Sequence, residues 1–298
     1  MFVKDFPSYA IEKRGRSRTD ETRIMIELED NFGDVIGKAQ RGLEISDSEL
    51  AKNSGATVDA IRKVRDGELD GAALRAIAPV LDLDSRALVE LGQGKYRPDA
   101  LENFDGLAQF STSYSGMLVN AYLIWDLGSK AAVAFDTGAE CNGILKLATK
   151  ENLSIKMIML THAHPDHVAD LPRLREETGA QVFAPADEMV PGAEKIEEGK
   201  HFRLGNIDIE ARLTWGHSSG GMTFVLRGLA RPIAIVGDSI FAGSMGGGNV
   251  SYRDAVQNNL EKILTLPDET IICPGHGPMT SVGEEKKHNP FFAAKFRK

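Results

Sequence analysis

The sequence has few of the residues that cross-link a chain or anchor it in a membrane. Its two cysteines, Cys141 and Cys273, lie far apart and form no CxxC pair, which excludes a disulfide scaffold and fits a reducing compartment. No segment approaches the roughly 18 uninterrupted apolar residues of a membrane span, and the opening residues lack the apolar core of a signal peptide. We therefore expect a cytoplasmic protein without a membrane partner.

Positive charge is also scarce. The 298 residues include 35 lysines and arginines against 43 aspartates and glutamates, which gives a formal net charge of −8. This balance argues against a protein whose main partner is nucleic acid or an anionic lipid surface. Hydrophobic residues make up 42% of the chain and charged residues 26%, and this composition excludes a disordered protein.

The chain divides into parts with different patterns. Residues 31–92 show helical spacing, whereas residues 107–298 alternate short β-branched runs with helical stretches, which is typical of an α/β fold. Residues 93–106 contain glycines and a proline and are predicted to be a linker. Residues 1–30 are predicted to be an N-terminal arm. The predicted fold class is thus α/β, preceded by a small all-α domain.

One short segment concentrates potential metal ligands. The apolar run Ile155–Leu160 leads into His162-Ala-His164-Pro-Asp166-His167, which places four ligand-type side chains within six residues. Zinc and similar metals need imidazole and carboxylate ligands that converge from several directions, and Pro165 supports the irregular backbone that this requires. A polar helix start capped by Asp166 is the alternative interpretation. The density of ligand types favours a metal site.

Further ligand candidates occur beside other predicted strands. His217 lies in a Gly-His-Ser-Ser-Gly-Gly segment, Asp238 follows an apolar run that ends at Val236, and His276 lies in Pro-Gly-His-Gly-Pro. The adjacent glycines let the backbone approach a metal closely. Each of these residues is ordinary by itself, but the set predicts one site assembled at several strand ends.

The order of these motifs resembles that of the metallo-β-lactamase fold superfamily. HxHxDH, Gly-His, Gly-Asp and Pro-Gly-His-Gly-Pro occur in that order, and Asp136-Thr-Gly and Asn120-Ala-Tyr-Leu are similar to earlier segments of the family. The likeness covers residues 107–298 and implies a four-layer αββα sandwich with two metals at one edge of the sheets. It implies that His162, His164 and His217 bind the first metal, that Asp166, His167 and His276 bind the second, and that Asp238 bridges the two.

The C-terminal motifs narrow the resemblance. Pro274-Gly-His-Gly-Pro-Met-Thr, followed by Asn289-Pro-Phe, resembles the glyoxalase II type of hydroxyacylglutathione hydrolase, in the short form that lacks an extra C-terminal helical domain. This implies a small-molecule thioester substrate. Gly247 and Asn249 replace a basic and an acidic residue that such enzymes usually have after the bridging aspartate, so the substrate contacts of that loop are not carried over.

The resemblance implies metal-assisted hydrolysis. A bound divalent metal lowers the pKa of water from about 15.7 to roughly 7, so two such ions can share a hydroxide nucleophile at neutral pH. Asp166 and Asp238 are the carboxylates that we expect at the catalytic centre. We favour Zn²⁺, with iron and manganese as alternatives, because imidazole and carboxylate ligands suit all three.

Other reactions of the same site remain open. A mono-iron persulfide dioxygenase shares the HxHxDH, Gly-His and Gly-Asp motifs, and a bridging hydroxide would also attack lactones or phosphodiesters. The Pro-Gly-His-Gly-Pro segment around His276 favours hydrolysis.

The all-α domain carries a second pattern. A capping box at Ser46–Glu49 and a cap at Thr57 begin two predicted helices. The pattern Leu50-Ala51, Gly55 and Ile61 resembles a helix-turn-helix of the phage-repressor type. This resemblance implies a DNA-binding regulator that contacts DNA through Thr57, Arg62 and Lys63.

Charge disfavours that regulatory function. Residues 31–92 contain eight basic and eleven acidic residues, a net charge of −3, and Asp59 lies where a recognition helix would meet the DNA. We expect instead that this domain controls access to the site or forms a homodimer. We also expect a chain that starts near Gly106 to keep its metals.

Overall fold

The structure is a computed structural model that describes residues 26–99 and 105–297. Residues 1–25 of the predicted arm and residues 100–104 of the predicted linker lie outside the described residues. Within the described ranges, no helix combines the length and the apolar character that crossing a membrane requires.

In the described residues 26–99, five short helices follow one another. They are α1 (Phe32–Gly42), α2 (Asp47–Ser54), α3 (Val58–Arg65), α4 (Gly71–Ile77) and α5 (Ser85–Gly92), with a 3-10 turn at Ala78–Leu81. Ser46 and Glu49 form the predicted capping box, since each side chain accepts a hydrogen bond from the backbone N–H of the other. Gly55 ends α2 in the left-handed conformation (φ 75°), and the Thr57 hydroxyl caps α3.

Two six-stranded sheets make up the α/β part. The first runs in chain order and contains β1 (Leu107–Tyr114), β2 (Met117–Trp125), β3 (Ala131–Phe135), β4 (Ser154–Met159), β5 (Gln181–Pro185) and β6 (Glu194–Ile196). The second contains β7 (His201–Leu204), β8 (Ile207–Leu213), β9 (Met222–Arg227), β10 (Ile233–Gly237), β13 (Ile271–Pro274) and β14 (Thr280–Ser281), in the order β14-β13-β10-β9-β8-β7. A short hairpin, β11 (Ile240–Phe241) and β12 (Ser244–Met245), follows β10.

Helices connect and cover these strands. They are α6 (Asn142–Glu151), α7 (Pro165–Val168), α8 (Leu171–Thr178), α9 (Tyr252–Asn258), α10 (Val282–His288) and α11 (Ala293–Phe296), with a π-helical turn at Asn259–Ile263. Parallel pairing joins β3 to β4 and β10 to β13, so the segments that follow each pair leave their sheet at the same edge.

Hydrophobic clusters define the layers. One fills the space between the sheets and includes Phe135 of β3 and Phe224 of β9, whose ring centroids are 5.2 Å apart. Another joins the outer face of the first sheet to α6 and α8 through Leu123, Ile144 and Leu174. A third covers the outer face of the second sheet. The fold is therefore the four-layer αββα sandwich that the resemblance implied, preceded by an all-α region.

The all-α region is part of the third cluster. Its side chains Ile36 and Leu81 are buried in one apolar cluster with Val236 of β10 and Ile272 of β13. Lys38 of α1 also donates a hydrogen bond to the Met245 carbonyl, at 2.9 Å. The all-α region and the second sheet are thus joined by continuous apolar contact. The exact bounds of the domains stay predictions.

Some local predictions differ from the structure. The sequence predicts one helix over residues 168–177, whereas α7 and α8 are separate and Asp170, between them, accepts a hydrogen bond from the Cys141 N–H at 3.0 Å. The sequence also predicts a glycine-rich loop after Val236, whereas that segment contains the buried hairpin of β11 and β12. At Asp170 a contact with a distant part of the chain separates the two helices, whereas the hairpin pairs residues only three to five positions apart.

Candidate metal centre

The seven predicted ligands lie on segments that follow strand ends. His162 and His164 come after β4, and Asp166 and His167 lie in α7. The others follow β8, β10 and β13, and they are His217, Asp238 and His276. The structure brings these side chains together in two groups, and within each group the ligand atoms lie within 4.8 Å of one another.

The first group contains three imidazoles. His164 Nδ1 lies 3.0 Å from His162 Nε2 and 3.2 Å from His217 Nε2. Tetrahedral zinc with Zn–N distances near 2.0–2.1 Å would place its ligand atoms about 3.3 Å apart. The three nitrogens are therefore spaced as ligands of one ion.

The second group contains two imidazoles and a carboxylate. Asp166 Oδ2 lies 3.3 Å from His276 Nε2 and 3.7 Å from His167 Nε2. These separations also match the distance between neighbouring ligands of one ion, which is about 3.3 Å for a tetrahedral site.

Asp238 lies between the two groups. Its Oδ2 is 3.4 Å from His217 Nε2 in the first group and 3.4 Å from His276 Nε2 in the second, while its Oδ1 is 3.4 Å from His167 Nε2. One carboxylate thus contacts both groups, which is the position that a bridging ligand needs.

A hydrogen-bond chain that starts at Asp136 orients two of the imidazoles. Asp136 Oδ2 accepts from His167 Nδ1 at 2.9 Å and from the Thr161 hydroxyl at 2.8 Å. Because Thr161 donates its only hydroxyl proton to Asp136, His162 Nδ1, at 3.0 Å, must donate to the Thr161 oxygen. Nδ1 is thereby occupied in both imidazoles, and Nε2 is the nitrogen that each ring directs to the centre.

Backbone carbonyls orient two more imidazoles in the same way. His217 Nδ1 donates to the Gly247 carbonyl at 2.9 Å, and His276 Nδ1 donates to the Leu118 carbonyl at 2.6 Å. Each ring therefore directs its Nε2 toward the centre.

The donor atoms fit a pair of divalent ions. His167 Nε2 and Asp238 Oδ1 are buried and have no hydrogen-bond partner among the described residues, although buried polar atoms nearly always have one. A β-carbon at Gly275 would lie 2.1 Å from Asp238 Oδ1, so only glycine lets the backbone pass so close to the centre. The two buried atoms, His167 Nε2 and Asp238 Oδ1, lie 3.4 Å apart, a separation that suits two ligands of one metal ion.

The charge of the centre attracts cations. Burial alone would lower the pKa of His167 and His276, but the neighbouring carboxylates outweigh it and raise these pKa values to about 10 and about 11. Burial lowers the pKa of His162 and His217, which stay neutral and able to bind a metal. The carboxylates that attract protons to the second group would attract a divalent ion for the same reason.

Glu188 is a site residue that the sequence did not indicate. Its carboxylate accepts from the Ala163 N–H at 2.7 Å and from the Gly220 N–H at 2.6 Å. Ala163 lies between His162 and His164, and Gly220 lies in the loop of His217, so one side chain holds both loops of the first group. Nothing in its local sequence marks Glu188. Asp136, in contrast, follows a buried strand and lies in the Asp-Thr-Gly segment that resembles the family.

The segment before α1 also lies beside the centre. Glu29 Oε2 is 4.0 Å from His276 Nδ1, and a β-carbon on Gly277 would lie 3.1 Å from the Glu29 nitrogen. Asp30 accepts hydrogen bonds from Ser244 and Lys38. Residues 26–30, which fall in the predicted arm, therefore pack against the loop that carries His276.

The three residues predicted to contact DNA make other contacts. Thr57 caps α3, Arg62 Nε lies 3.0 Å from the Asp47 carboxylate, and Lys63 Nζ lies 3.0 Å from Asp59. Both cations are thus paired with acids of the same region.

Comparison with known proteins identifies the family to which this architecture is similar. The family model described as the metallo-beta-lactamase superfamily matches residues 114–276. The hydroxyacylglutathione hydrolase GloC of Haemophilus influenzae is 27% identical over 201 residues, which cover 59% of this chain and 93% of that protein. The probable metallo-hydrolase YqgX of Bacillus subtilis is 30% identical over 198 residues, with coverage of 58% and 91%.

Solved structures show the same likeness. The crystal structure of ETHE1 from Myxococcus xanthus has a TM-score of 0.56 and 26% identity, and the match covers 63% of this chain and 85% of that one. TTHA1623 in a di-iron-bound form has a TM-score of 0.50 and 29% identity, with coverage of 61% and 100%. The family model spans more than half of the sequence and contains all seven candidate ligands. The chain therefore belongs to the metallo-beta-lactamase superfamily.

Proposed function

We propose that this protein is a dinuclear metal hydrolase that cleaves thioesters of the hydroxyacylglutathione type. The observation that carries the proposal is the convergence of seven ligand side chains, with His167 Nε2 and Asp238 Oδ1 buried and orphaned among the described residues. The similarity to a hydroxyacylglutathione hydrolase, at 27% identity, supports the choice of substrate. The similarity to a di-iron protein supports two metals and leaves iron beside zinc and manganese as candidates.

The seven candidate ligands have different roles in such a site. His162, His164 and His217 would hold one ion, and Asp166, His167 and His276 the other, with Asp238 setting the distance between them. Two divalent ions held there would supply a hydroxide at neutral pH and would polarise the scissile carbonyl group.

Hydrogen bonds within the protein hold the imidazole ligands in the orientation that metal binding requires. Asp136 holds the Nδ1 proton of His167, and the Leu118 carbonyl holds that of His276, so neither imidazole has to reorient when a metal binds. A thiolate leaves without taking up a proton, so the reaction needs no general acid at the sulfur atom.

A substrate panel measured together with metal content tests the proposal. Purified without chelator, the protein should contain two metals per chain and hydrolyse lactoylglutathione, and it should lose this activity on chelation. Elemental analysis with only trace metal would refute the dinuclear site. Lactones, phosphodiesters and glutathione persulfide belong in the same panel. Oxygen consumption with the persulfide, without thioester cleavage, would replace the proposal with an oxygenase.

We further infer that the all-α region controls access to the metal centre or forms a homodimer, and that it does not bind DNA. Support comes from its net charge of −3 and from the pairing of Arg62 with Asp47 and of Lys63 with Asp59. Duplex binding by the full chain at micromolar concentration, weakened by salt and lost in Arg62→Ala/Lys63→Ala, would overturn this inference. A homodimer remains a prediction that sedimentation equilibrium tests directly.

A further inference from the structure

Three of the seven candidate ligands lie alone on their loops. They are His217, Asp238 and His276, whereas the other four share the segment 162–167. A glycine with a positive φ adjoins each of the three, and these glycines are Gly216, Gly237 and Gly277, with φ of 131°, 50° and 73°. Because glycine restricts the backbone less than any other residue, these loops need contacts from outside to hold their ligands in place.

Buried asparagines supply such contacts. Four asparagines are buried in the described residues, and three of them donate to backbone carbonyls of these loops. We call these three the loop asparagines, and they are Asn120, Asn258 and Asn259, with exposures of 1%, 8% and 1%. An amide group costs free energy to bury unless it is hydrogen-bonded, so the partners of a buried asparagine indicate its role.

Asn120 of β2 contacts the loop of His276. Its Nδ2 donates to the Pro274 carbonyl at 3.0 Å and to the Gly277 carbonyl at 2.8 Å. The Ser111 hydroxyl donates to Asn120 Oδ1 at 2.7 Å, which fixes the amide with its Nδ2 toward the loop. The hydrogen bonds of Asn120 therefore reach backbone on both sides of this ligand of the second group.

The other two loop asparagines contact the remaining loops from one helix. Asn258 Nδ2 donates to the Trp215 carbonyl at 2.8 Å, two residues before His217. Asn259 Nδ2 donates to the Ser239 carbonyl at 2.8 Å, and Ser239 directly follows the bridging candidate. Two neighbouring residues thus connect the loop of the first group with the loop of the bridging carboxylate.

The helix changes its form between these two asparagines. Helix α9 ends at Asn258 and a π-helical turn begins at Asn259, whose carbonyl accepts from the Leu264 N–H at 2.8 Å, five residues later. Such turns are rare and occur frequently at functional sites. The two ligands that these asparagines serve are also neighbours, since His217 Nε2 lies 3.4 Å from Asp238 Oδ2.

The amide oxygen of Asn259 argues against a role in stability alone. Asn259 Oδ1 is buried and has no hydrogen-bond partner among the described residues, which is unfavourable for folding. A leucine at this position would remove that oxygen but would leave the Ser239 carbonyl without its donor. Since one buried unpartnered oxygen replaces another, the stability of the metal-free protein should change little.

We propose that the three loop asparagines are positioning residues of the metal centre, and that each controls the metal position served by the ligand on its loop. Asn258 acts on the first ion through His217. Asn120 acts on the second ion through His276. Asn259 acts on both ions, because the carboxylate beside its loop contact reaches both groups. This inference rests on the proposed function and adds residues that determine its metal affinity.

Leucine variants of the full chain test the inference, because leucine is close to asparagine in size and cannot donate a hydrogen bond. In Asn258→Leu the affinity for the first Zn²⁺ should fall about 10- to 100-fold, and the second Zn²⁺ should be held as in the wild type. Asn120→Leu should show the reverse, and Asn259→Leu should weaken both. Competition with a chelating dye measures the two constants.

Co²⁺ identifies the position that each variant changes. Its visible absorption depends on its ligands, which are mainly imidazoles in the first group and include Asp166 in the second. His217→Ala removes a ligand of the first group and so assigns the absorption bands. Asn258→Leu should alter the bands of the first position and Asn120→Leu those of the second. A residue that only stabilises the fold would alter neither spectrum.

Asn289 is the matched control. It is buried, and its Nδ2 donates to the Ser244 carbonyl at 2.7 Å, in the hairpin that carries no ligand. Asn289→Leu should lower the melting temperature of the metal-free protein and keep both metal affinities. The same melting temperature is measured for each loop variant. If Asn120→Leu does not fold, the variants at Asn258 and Asn259 decide the outcome.

The failures of the two proposals are distinguishable. If the wild type binds only trace metal, the proposed function falls and this inference falls with it. If the wild type binds two metals and cleaves lactoylglutathione while Asn258→Leu and Asn259→Leu keep both affinities, only this inference is wrong. Equal loss of both metals in Asn258→Leu, or the same loss in Asn289→Leu, would also overturn it, because the effect would then be general.

Discussion

Single hydrogen bonds decide which ring nitrogen each histidine offers to a metal. Asp136, Thr161 and two backbone carbonyls occupy the Nδ1 atoms of four imidazoles and leave the Nε2 atoms free. Asp136 itself has a φ of 55°, a left-handed conformation that non-glycine residues rarely adopt and that often marks functional sites. The centre is thus organised before any metal binds.

Replacing single ligands should separate the two metal positions. We expect His217→Ala to reduce the metal content to about one per chain, because it removes a ligand from the first group only. Asp238→Ala should reduce binding at both positions, since its carboxylate contacts both groups. Elemental analysis after dialysis measures this directly. Equal metal loss in the two variants would show that the groups do not bind separate ions.

Glu188 should act on metal affinity without touching a metal. Glu188→Ala removes the acceptor shared by the Ala163 and Gly220 N–H groups, so the affinity for the first metal should fall about 10- to 100-fold. The second metal should be held as before. Competition with a chelating dye measures both constants, and Asp187→Asn, at the exposed neighbouring residue, is the control. Unchanged affinity in Glu188→Ala would limit Glu188 to a role in loop stability.

Several elements are joined through one buried carboxylate. Glu285 of α10 accepts hydrogen bonds from Tyr96 after α5, from Gly243 between β11 and β12, and from Thr280 of β14. Burial raises the pKa of Glu285 to about 7 from an ordinary 4.5. The hairpin beside the metal centre, α10 and the segment after α5 therefore meet at one buried carboxylate.

The stability of the protein should reflect that proton. Between pH 4.5 and about 7 the folded protein keeps a proton on Glu285 that the unfolded chain releases, so the free energy of unfolding falls as the pH rises through this window. The loss is about 3 kcal/mol, from 1.36 kcal/mol per pKa unit. Glu285→Gln resembles the protonated form and should gain stability relative to the wild type over the same window.

Urea unfolding at several pH values measures this difference, and taking the variant against the wild type cancels the titration of the metal centre. Glu284→Gln, on the same helix but partly exposed, is the control and should show no such trend. A difference between Glu285→Gln and the wild type that does not change with pH would contradict the prediction.

At the scale of the whole molecule, the all-α region completes a layer of the sandwich. Its apolar side chains share a cluster with the outer face of the second sheet, including Val225, Ala234 and Val236. Lys295 also pairs with Asp82, and the Asp84 N–H donates to the Pro290 carbonyl at 2.7 Å. The sequence led us to expect that a chain starting near Gly106 keeps its metals, and this packing leads us to predict instead that such a chain is destabilised.

Removing the all-α region should therefore destabilise the rest of the protein. A chain that starts at Asp105 would expose the apolar face of the second sheet, so we expect it to aggregate or to melt well below the full protein. Light scattering and thermal unfolding monitored by circular dichroism measure both outcomes. A monomeric truncated protein with two metals and an unchanged melting temperature would restore the original expectation.

The sequence by itself determined the fold class and indicated the candidate ligands that the structure brings together. Ligand chemistry is carried by residue type, and His162, His164, Asp166 and His167 lie close together along the chain, so their purpose is visible without a structure. The caps at Ser46 and Thr57 were visible for the same reason, because a cap is a contact between residues three positions apart.

Tertiary structure alone decided what depends on contacts between distant residues. Glu188 meets Ala163 and Gly220 only after the chain has folded, and Arg62 pairs with Asp47 from another helix. The short strand β6 exists because β5 pairs with it, since three residues have no strand preference of their own. The packing of the all-α region on the second sheet is also such a contact, because an apolar helix face does not specify along the chain which partner will cover it.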